Sequence, residues 1–259
     1  TKTDYSKYGI RKDNEYVVKG EAGSPYAIKD YYDIDPDLAE DPSTRMQEFE
    51  ALVTRTHEVG LKVVLDFVPN HVARQYHSDT APEGVDDLGA LDNKEMHFSP
   101  SNNFYYIPRQ AFTPQFYIGE GEDRYFEYPA KATGNDCFGA FPGEYDWYET
   151  VKLNYGVDYT GGGRCHFDPI PDTWYKMLDI LLFWCGKGVD AFRCDMAHMV
   201  PVEFWNWAIS KVKENYPSVI FIAEIYDQAL YRVYIEKGKF DYLYDCLLYT
   251  SPSPRDVEE

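Results

Sequence analysis

The sequence predicts an α/β fold made of parallel strands joined by crossover helices. Two observations carry this. Apolar, β-branched runs end abruptly in an acid at Gly188-Val189-Asp190-Ala191-Phe192-Arg193-Cys194-Asp195 and again at Ser218-Val219-Ile220-Phe221-Ile222-Ala223-Glu224. The second acid follows the first by 29 residues, and a helix-like segment fills the interval. That is the spacing of one βα unit in a barrel of about 250 residues. A third run of the same kind is Leu61-Lys62-Val63-Val64-Leu65-Asp66-Phe67-Val68-Pro69-Asn70-His71. Such continuous apolar runs suit strands of a parallel sheet, buried on both faces.

The elements follow in order. Residues 1–42 are rich in Gly, Pro and Asp and read as loops. Thr44-Arg45-Met46-Gln47 has the form of a capping box. Met46, Phe49, Leu52, Val53 and Thr56 then make a helical stripe that Gly60 stops. A strand over 61–67 comes next. Asp195 follows Asp66 by 129 residues, far more than one βα unit needs. Residues 72–170, rich in Gly, Asn, Pro and aromatics without long helical periods, therefore read as an insertion after this strand. A helix begins near Asp172, with Trp174, Leu178, Leu181, Leu182 and Cys185 inward and Gly186 as its stop. A strand over 189–194 follows. Pro201 opens a helix that runs to Tyr216. The next strand covers 219–223, a helix spans 227–237, and a last strand starts at 240–244.

Composition narrows the function. A net charge of -19 with no basic cluster argues against nucleic acid and anionic membrane as partners. A neutral polymer is indifferent to that charge. Aromatics reach 17%, with 24 Tyr, and their rings suit the C–H faces of sugars, although most serve to pack a core. Five Cys at scattered positions have no metal spacing. Cys185 and Cys194, set in apolar runs, read as buried small hydrophobes.

Chemistry concentrates at the strand ends. Residues two apart on a strand share a face, so Arg193 and Asp195 point the same way. A carboxylate beside a guanidinium is expected to stay ionised, as a nucleophile requires. Glu224, after an apolar run, is expected to be partly desolvated, as a general acid requires. A structural ion pair for the first and an ordinary first-turn acid for the second are the plainer alternatives.

Taken together the motifs resemble those of the α-amylase superfamily. The D-x-V-x-N-H run from Asp66 to His71 resembles its first signature, Arg193-x-Asp195 its second, and Ala223-Glu224 its third. Tyr26, four residues before Asp30, sits where the family places a tyrosine that stacks on sugar. The likeness runs from Tyr5 to Asp245. It implies a partial TIM (β/α)8 barrel holding the third to sixth strands, built from residues 1–71 and 171–245, with 72–170 as the irregular inserted domain.

The resemblance also implies roles. Asp195 is the nucleophile, Glu224 the general acid/base, and Arg193 the supporting cation. Tyr26 stacks on the sugar, His71 bonds a sugar hydroxyl, and Asp66 orients the strand end beside them. His198 takes a slot, three residues past the nucleophile, where many relatives carry a Lys on the leaving-group side. Asn70 resembles a calcium ligand between barrel and insertion, which implies Ca2+, an ion not every member keeps. Trp147, Tyr148 and Tyr155 are further candidates for the cleft wall. The expected activity is retaining hydrolysis of α-glucans. A transglycosylase or isomerase on the same scaffold is the first alternative. A non-catalytic carbohydrate-binding relative is the second, and the intact acids argue against it. Cys246 to Asp256 resemble a translated sequencing-library adapter, so 246–259 are read as a non-native tail, and the family's fourth signature is expected beyond the sequence.

Overall fold

The computed structural model describes residues 2–244. Residues 246–259, read above as a tail, lie outside the described residues. The chain up to Thr44 forms loops and short 3-10 turns. Helix α1 spans Arg45–Glu58 and strand β1 Val64–Phe67. Six short strands follow: β2 (His71–Ala73), β3 (Tyr106–Ile107), β4 (Ala130–Lys131), β5 (Thr150–Lys152), β6 (Val157–Asp158) and β7 (Arg164–Cys165). Then come α2 (Asp172–Gly186), β8 (Ala191–Cys194), α3 (Val202–Asn215), β9 (Ile220–Glu224), α4 (Tyr231–Glu236) and β10 (Tyr242–Tyr244).

The organising unit is a four-stranded sheet in the order β1-β8-β9-β10. Every neighbouring pair in it is parallel. Its register sets Val64 beside Ala191 and Ile220, and Asp66 beside Arg193 and Ile222. Because side chains alternate along each strand, the two faces have opposite character. Phe67, Phe192, Cys194, Phe221 and Ala223 are buried on one face. There Phe67 meets Phe192 and Trp205 edge-on, within one core that includes Trp174, Leu181, Phe204 and Ile209 of the helices. The other face carries Asp66, Arg193, Glu224 and Tyr244, and is exposed at Val64, Ile220 and Tyr242. Burial on both faces, expected from the apolar runs, therefore holds only for the central part of β8. The helices cover a single face, and alternation leaves every second side chain on the other.

The stretch between β1 and α2 has no long element. Its strands pair two by two and antiparallel: β2 with β5, β3 with β4, β6 with β7. Part of it closes a small second core of Val17, Ile107, Phe112, Ile118, Tyr125 and Ala130. Its remaining aromatics supply rigid surfaces for loops that lack ladders.

Two local expectations need correction. The capping box does not form, since the Thr44 side chain makes no bond to a helix amide. Its hydroxyl donates instead to Glu48 Oε1 at 2.9 Å. The Glu48 carboxylate reaches back to the amides of Glu40 and Asp41 at 2.8 and 2.9 Å. The Thr44 amide, which Gln47 would have to reach, is already spent on the Asp41 carbonyl at 2.9 Å. The helix placed over 227–237 begins as a 3-10 turn at Gln228–Leu230, capped by the Asp227 carboxylate, and becomes α-helical only from Tyr231. Elsewhere Gly60 ends α1 with φ 77°, a conformation a Cβ would resist. Cys185 and Cys194 are buried as expected. No helix among the described residues is long and apolar enough to cross a membrane.

Candidate active site

The site is built at the C-terminal ends of β8 and β9, where the ladder hands two acids to one guanidinium. Arg193 Nη1 donates to Asp195 Oδ1 at 2.9 Å, and Arg193 Nη2 pairs with Glu224 Oε1 at 2.7 Å. Both carboxylates are therefore bound to one planar fork. Nη1 also reaches Asp66 Oδ1 at 3.1 Å, because Asp66 is the register partner of Arg193 on β1. One cation thus faces three acids.

Glu224 is surrounded by donors. The Met196 backbone N–H donates to its Oε2 at 3.0 Å, and the Tyr226 hydroxyl to its Oε1 at 3.0 Å. Tyr244 closes a bridge: its hydroxyl accepts from Arg193 Nε at 2.5 Å and donates to Glu224 Oε1 at 3.3 Å. Met196 holds φ 46°, in the left-handed region, just after the strand ends. That costs energy for a residue with a Cβ. The turn aims the Met196 amide across at the neighbouring strand tip.

Asp195 and Glu224 are both buried, at 6% and 2% exposure. Burial raises the Asp195 carboxyl, Arg193 opposes this, and the neighbouring Glu224 charge adds to it. The balance pushes Asp195 up to about 6. The sequence expectation, that the guanidinium holds Asp195 ionised, therefore stands only above about pH 6. Arg193 divides its charge among three acids and does not offset the loss of water.

A cavity of about 380 Å³ opens onto these groups and is walled by Tyr26, His71, Trp147, Glu149, Met196 and Tyr226, among others. Tyr26 presents a part-exposed ring with the Arg193 guanidinium 5.7 Å from its centre. His71 is buried against the edge of Trp147. Burial, and then the charge of Lys152, push its ring down to about 4, so it is neutral at ordinary pH. A second cavity of about 310 Å³ lies among the N-terminal loops and holds none of the strand-tip acids.

The structure therefore gathers Asp195, Glu224, Arg193, Tyr26 and His71 around one cavity. Asp66 touches Arg193 but is exposed on the open face. His198 does not line the cavity. Its ring lies 5.8 Å from Tyr226, and its Nδ1 is buried without a partner. Of the three cleft candidates from the insertion only Trp147 lines the cavity. Tyr148 packs on Phe116, and the Tyr155 hydroxyl is buried, donating to the Pro69 carbonyl at 2.7 Å. Tyr226, Tyr244 and the Met196 amide were not singled out from the sequence. A tyrosine two residues past an acid on a strand tip is a usable signal, but a backbone amide carries none.

Asn70 does not fit the role of a calcium ligand. Its Nδ2 donates to the Gly134 carbonyl at 2.8 Å, which turns its Oδ1 toward Lys152, and Lys152 Nζ donates to that oxygen at 2.6 Å. A fixed ammonium, a like charge to any metal cation, already sits against that oxygen. Among the described residues no three His, Cys, Asp or Glu side chains come together as a metal cluster.

Comparison with known proteins finds similar chains. The model of the α-amylase catalytic domain matches residues 17–129, which include Tyr26, Asp66 and His71 but stop short of β8 and β9. The α-1,4-glucan:maltose-1-phosphate maltosyltransferase of Cereibacter sphaeroides is 36% identical over 107 residues, 39% of this chain and 18% of that protein. The enzyme of the same name from Pseudomonas aeruginosa is 24% identical over 233 residues, covering 87% of this chain and 26% of that protein. The chain thus spans a minor part of the relatives it matches. In structure, a debranching enzyme of Nostoc punctiforme superposes with a TM-score of 0.53 at 17% identity, over 91% of this chain and 39% of that one, a likeness of fold.

Proposed function

We propose that this chain, which belongs to the α-amylase superfamily, carries the paired acids of a retaining enzyme acting on α-glucans, with its parallel sheet as part of a (β/α)8 barrel. The observation that carries the reading is the single Arg193 fork binding both Asp195 and Glu224 at adjacent strand ends. Retention needs two carboxyl groups about 5–5.5 Å apart, one to attack and one to give a proton.

The steps follow from the charges. The Asp195 carboxylate attacks the anomeric carbon, and the glycosidic C–O bond breaks as the leaving oxygen takes a proton from Glu224. An ester between Asp195 and the sugar results. Glu224, now a base, takes a proton from the incoming hydroxyl, whose oxygen bonds to the anomeric carbon as the ester bond breaks. Asp195 is released as a carboxylate. Arg193 stays paired with the acids throughout and keeps them in place. Neutral His71 suits a hydrogen bond to a sugar hydroxyl, and Tyr26 a stacking contact.

Hydrolysis is the first reading for the incoming hydroxyl, with water in that role. Transfer to a sugar hydroxyl is the second, favoured by the maltosyltransferases among the relatives. A fluorinated α-glucosyl fluoride, which forms the ester quickly and loses it slowly, tests the reading on the protein that carries this chain. A hexosyl adduct is expected on the peptide containing Asp195, and none in Asp195→Asn. That variant should lose activity on the order of a thousandfold or more. Product released with the β configuration, or an adduct on another residue, would overturn the assignment.

A further inference from the structure

We propose that the ammonium of Lys152 is the built-in cation that ties the inserted segment to the sheet, and that calcium has no part in this junction. Lys152 is the register partner of His71 in the β2–β5 pair, so its backbone is fixed opposite the first signature. Its side chain is 2% exposed. The three N–H bonds of an ammonium find three oxygens: Asn70 Oδ1 at 2.6 Å, Asp136 Oδ1 at 2.7 Å and the Met199 carbonyl at 3.5 Å. The Tyr159 ring lies 5.2 Å away on a further side.

These partners come from separate parts of the molecule. Asn70 follows β1, Asp136 belongs to the segment between β4 and β5, and Met199 sits in the turn after β8, beyond Asp195. One cation therefore joins the sheet, the insertion and the loop behind the nucleophile. The backbone beside Asn70 is closely packed. A Cβ on Gly134, whose carbonyl orients Asn70, would lie 2.4 Å from Thr150 Oγ1 and 3.0 Å from the His71 side chain.

A calcium ion at this point would need six to eight oxygens at about 2.3–2.6 Å. The junction offers Asn70 Oδ1, the Asp136 carboxylate and one distant carbonyl, with an ammonium already between them. To admit the ion, Lys152 would have to leave while its strand stays in place, or remain as a like charge beside it. A tethered single charge meets one carboxylate and two neutral oxygens here, so the junction is electrically balanced without a metal.

The test is thermal unfolding of the chain in excess EDTA and in excess calcium chloride. The parent should shift by less than about 1 °C between the two, as expected where no ion binds the native state. Lys152→Met keeps the apolar stem and removes the charge, leaving Asp136 unpaired. Its Tm should fall by about 5 °C or more. Asp136→Asn, at a half-exposed side chain, should fold even if the first variant does not, and should fall by only about 1–3 °C. A parent Tm that drops in EDTA and recovers with calcium would overturn the proposal however the variants behave. An unchanged Tm in Lys152→Met would do so as well.

Discussion

Two aspartates stand at opposite ends of one strand and are treated in opposite ways. Asp190 precedes β8. Burial would raise its carboxyl, but the Val63 amide at 2.8 Å, Lys62 at 2.9 Å and His57 at 2.7 Å outweigh burial and hold it down to about 2. Asp195 ends the strand. There burial and Glu224 outweigh a shared guanidinium and push the carboxyl up to about 6. At the first end one acid is given several donors. At the second, Asp66, Asp195 and Glu224 divide one cation. A strand end with surplus donors is a clamp. An end where several acids share one cation leaves Asp195 in its attacking form only above about pH 6.

The largest effect that could break this comparison is kinetic. If Asp195 must be ionised to attack, kcat/KM for an α-glucan should fall below about pH 6, by close to tenfold for each further unit. A profile flat down to pH 4.5, measured with a substrate that does not itself titrate, would remove Asp195 from the nucleophile's role.

Stability offers a sharper contrast of opposite sign. Asp190 has a depressed pKa, so its contribution is present above the ordinary range for Asp and is lost as pH falls toward about 2. Asp190→Asn should therefore cost about 1 kcal/mol at pH 7, a fall of roughly 2–4 °C in Tm; its partial solvent contact and solvent screening argue against more. Asp195 has a raised pKa, so the native state binds the extra proton between about 4 and about 6, and stability declines as pH rises through that window. Asp195→Asn removes a buried charge beside Glu224. It should raise Tm by roughly 2–4 °C at pH 8 and by almost nothing at pH 4. Differential scanning calorimetry across pH reads both variants. Equal signs at pH 8 would erase the distinction.

The smallest effect belongs to Asp66. It shares Arg193, but half its side chain is exposed. Asp66→Asn should change stability by no more than about 0.5 kcal/mol. It should leave the acid limb of the pH profile where it was. A displaced limb would mean that Asp66 takes part in the proton balance of the strand tips.

Most of the sheet was legible from local pattern. Runs such as Val189–Cys194 and Val219–Ala223 ended in acids where the strands end, and Gly60 and Gly186 marked helix stops. The helix from Pro201 also stood out, since its period is a property of adjacent residues. The capping of α1 was misjudged because the turn at Pro42–Thr44 already spends the Thr44 amide on the Asp41 carbonyl, which residue spacing does not record. How far the open face of the sheet is covered is not legible strand by strand, because apolar sequence records what a strand can bury, not what covers it.

The sequence by itself determined which acids stand at strand tips and that Arg193 and Asp195 share a face, which follow from alternation along a strand. That His71 and Tyr26 belong near them was implied only by the family resemblance. Tertiary structure alone decided how charge is divided. Arg193 serves Asp66 and Glu224, 127 residues before it and 31 after it, as well as Asp195. Lys152 finds Asn70 across 82 residues and so turns an expected metal ligand into half of a hydrogen bond. Coulomb energy and desolvation depend on distance through space, and chain order does not record that distance until the strands have paired.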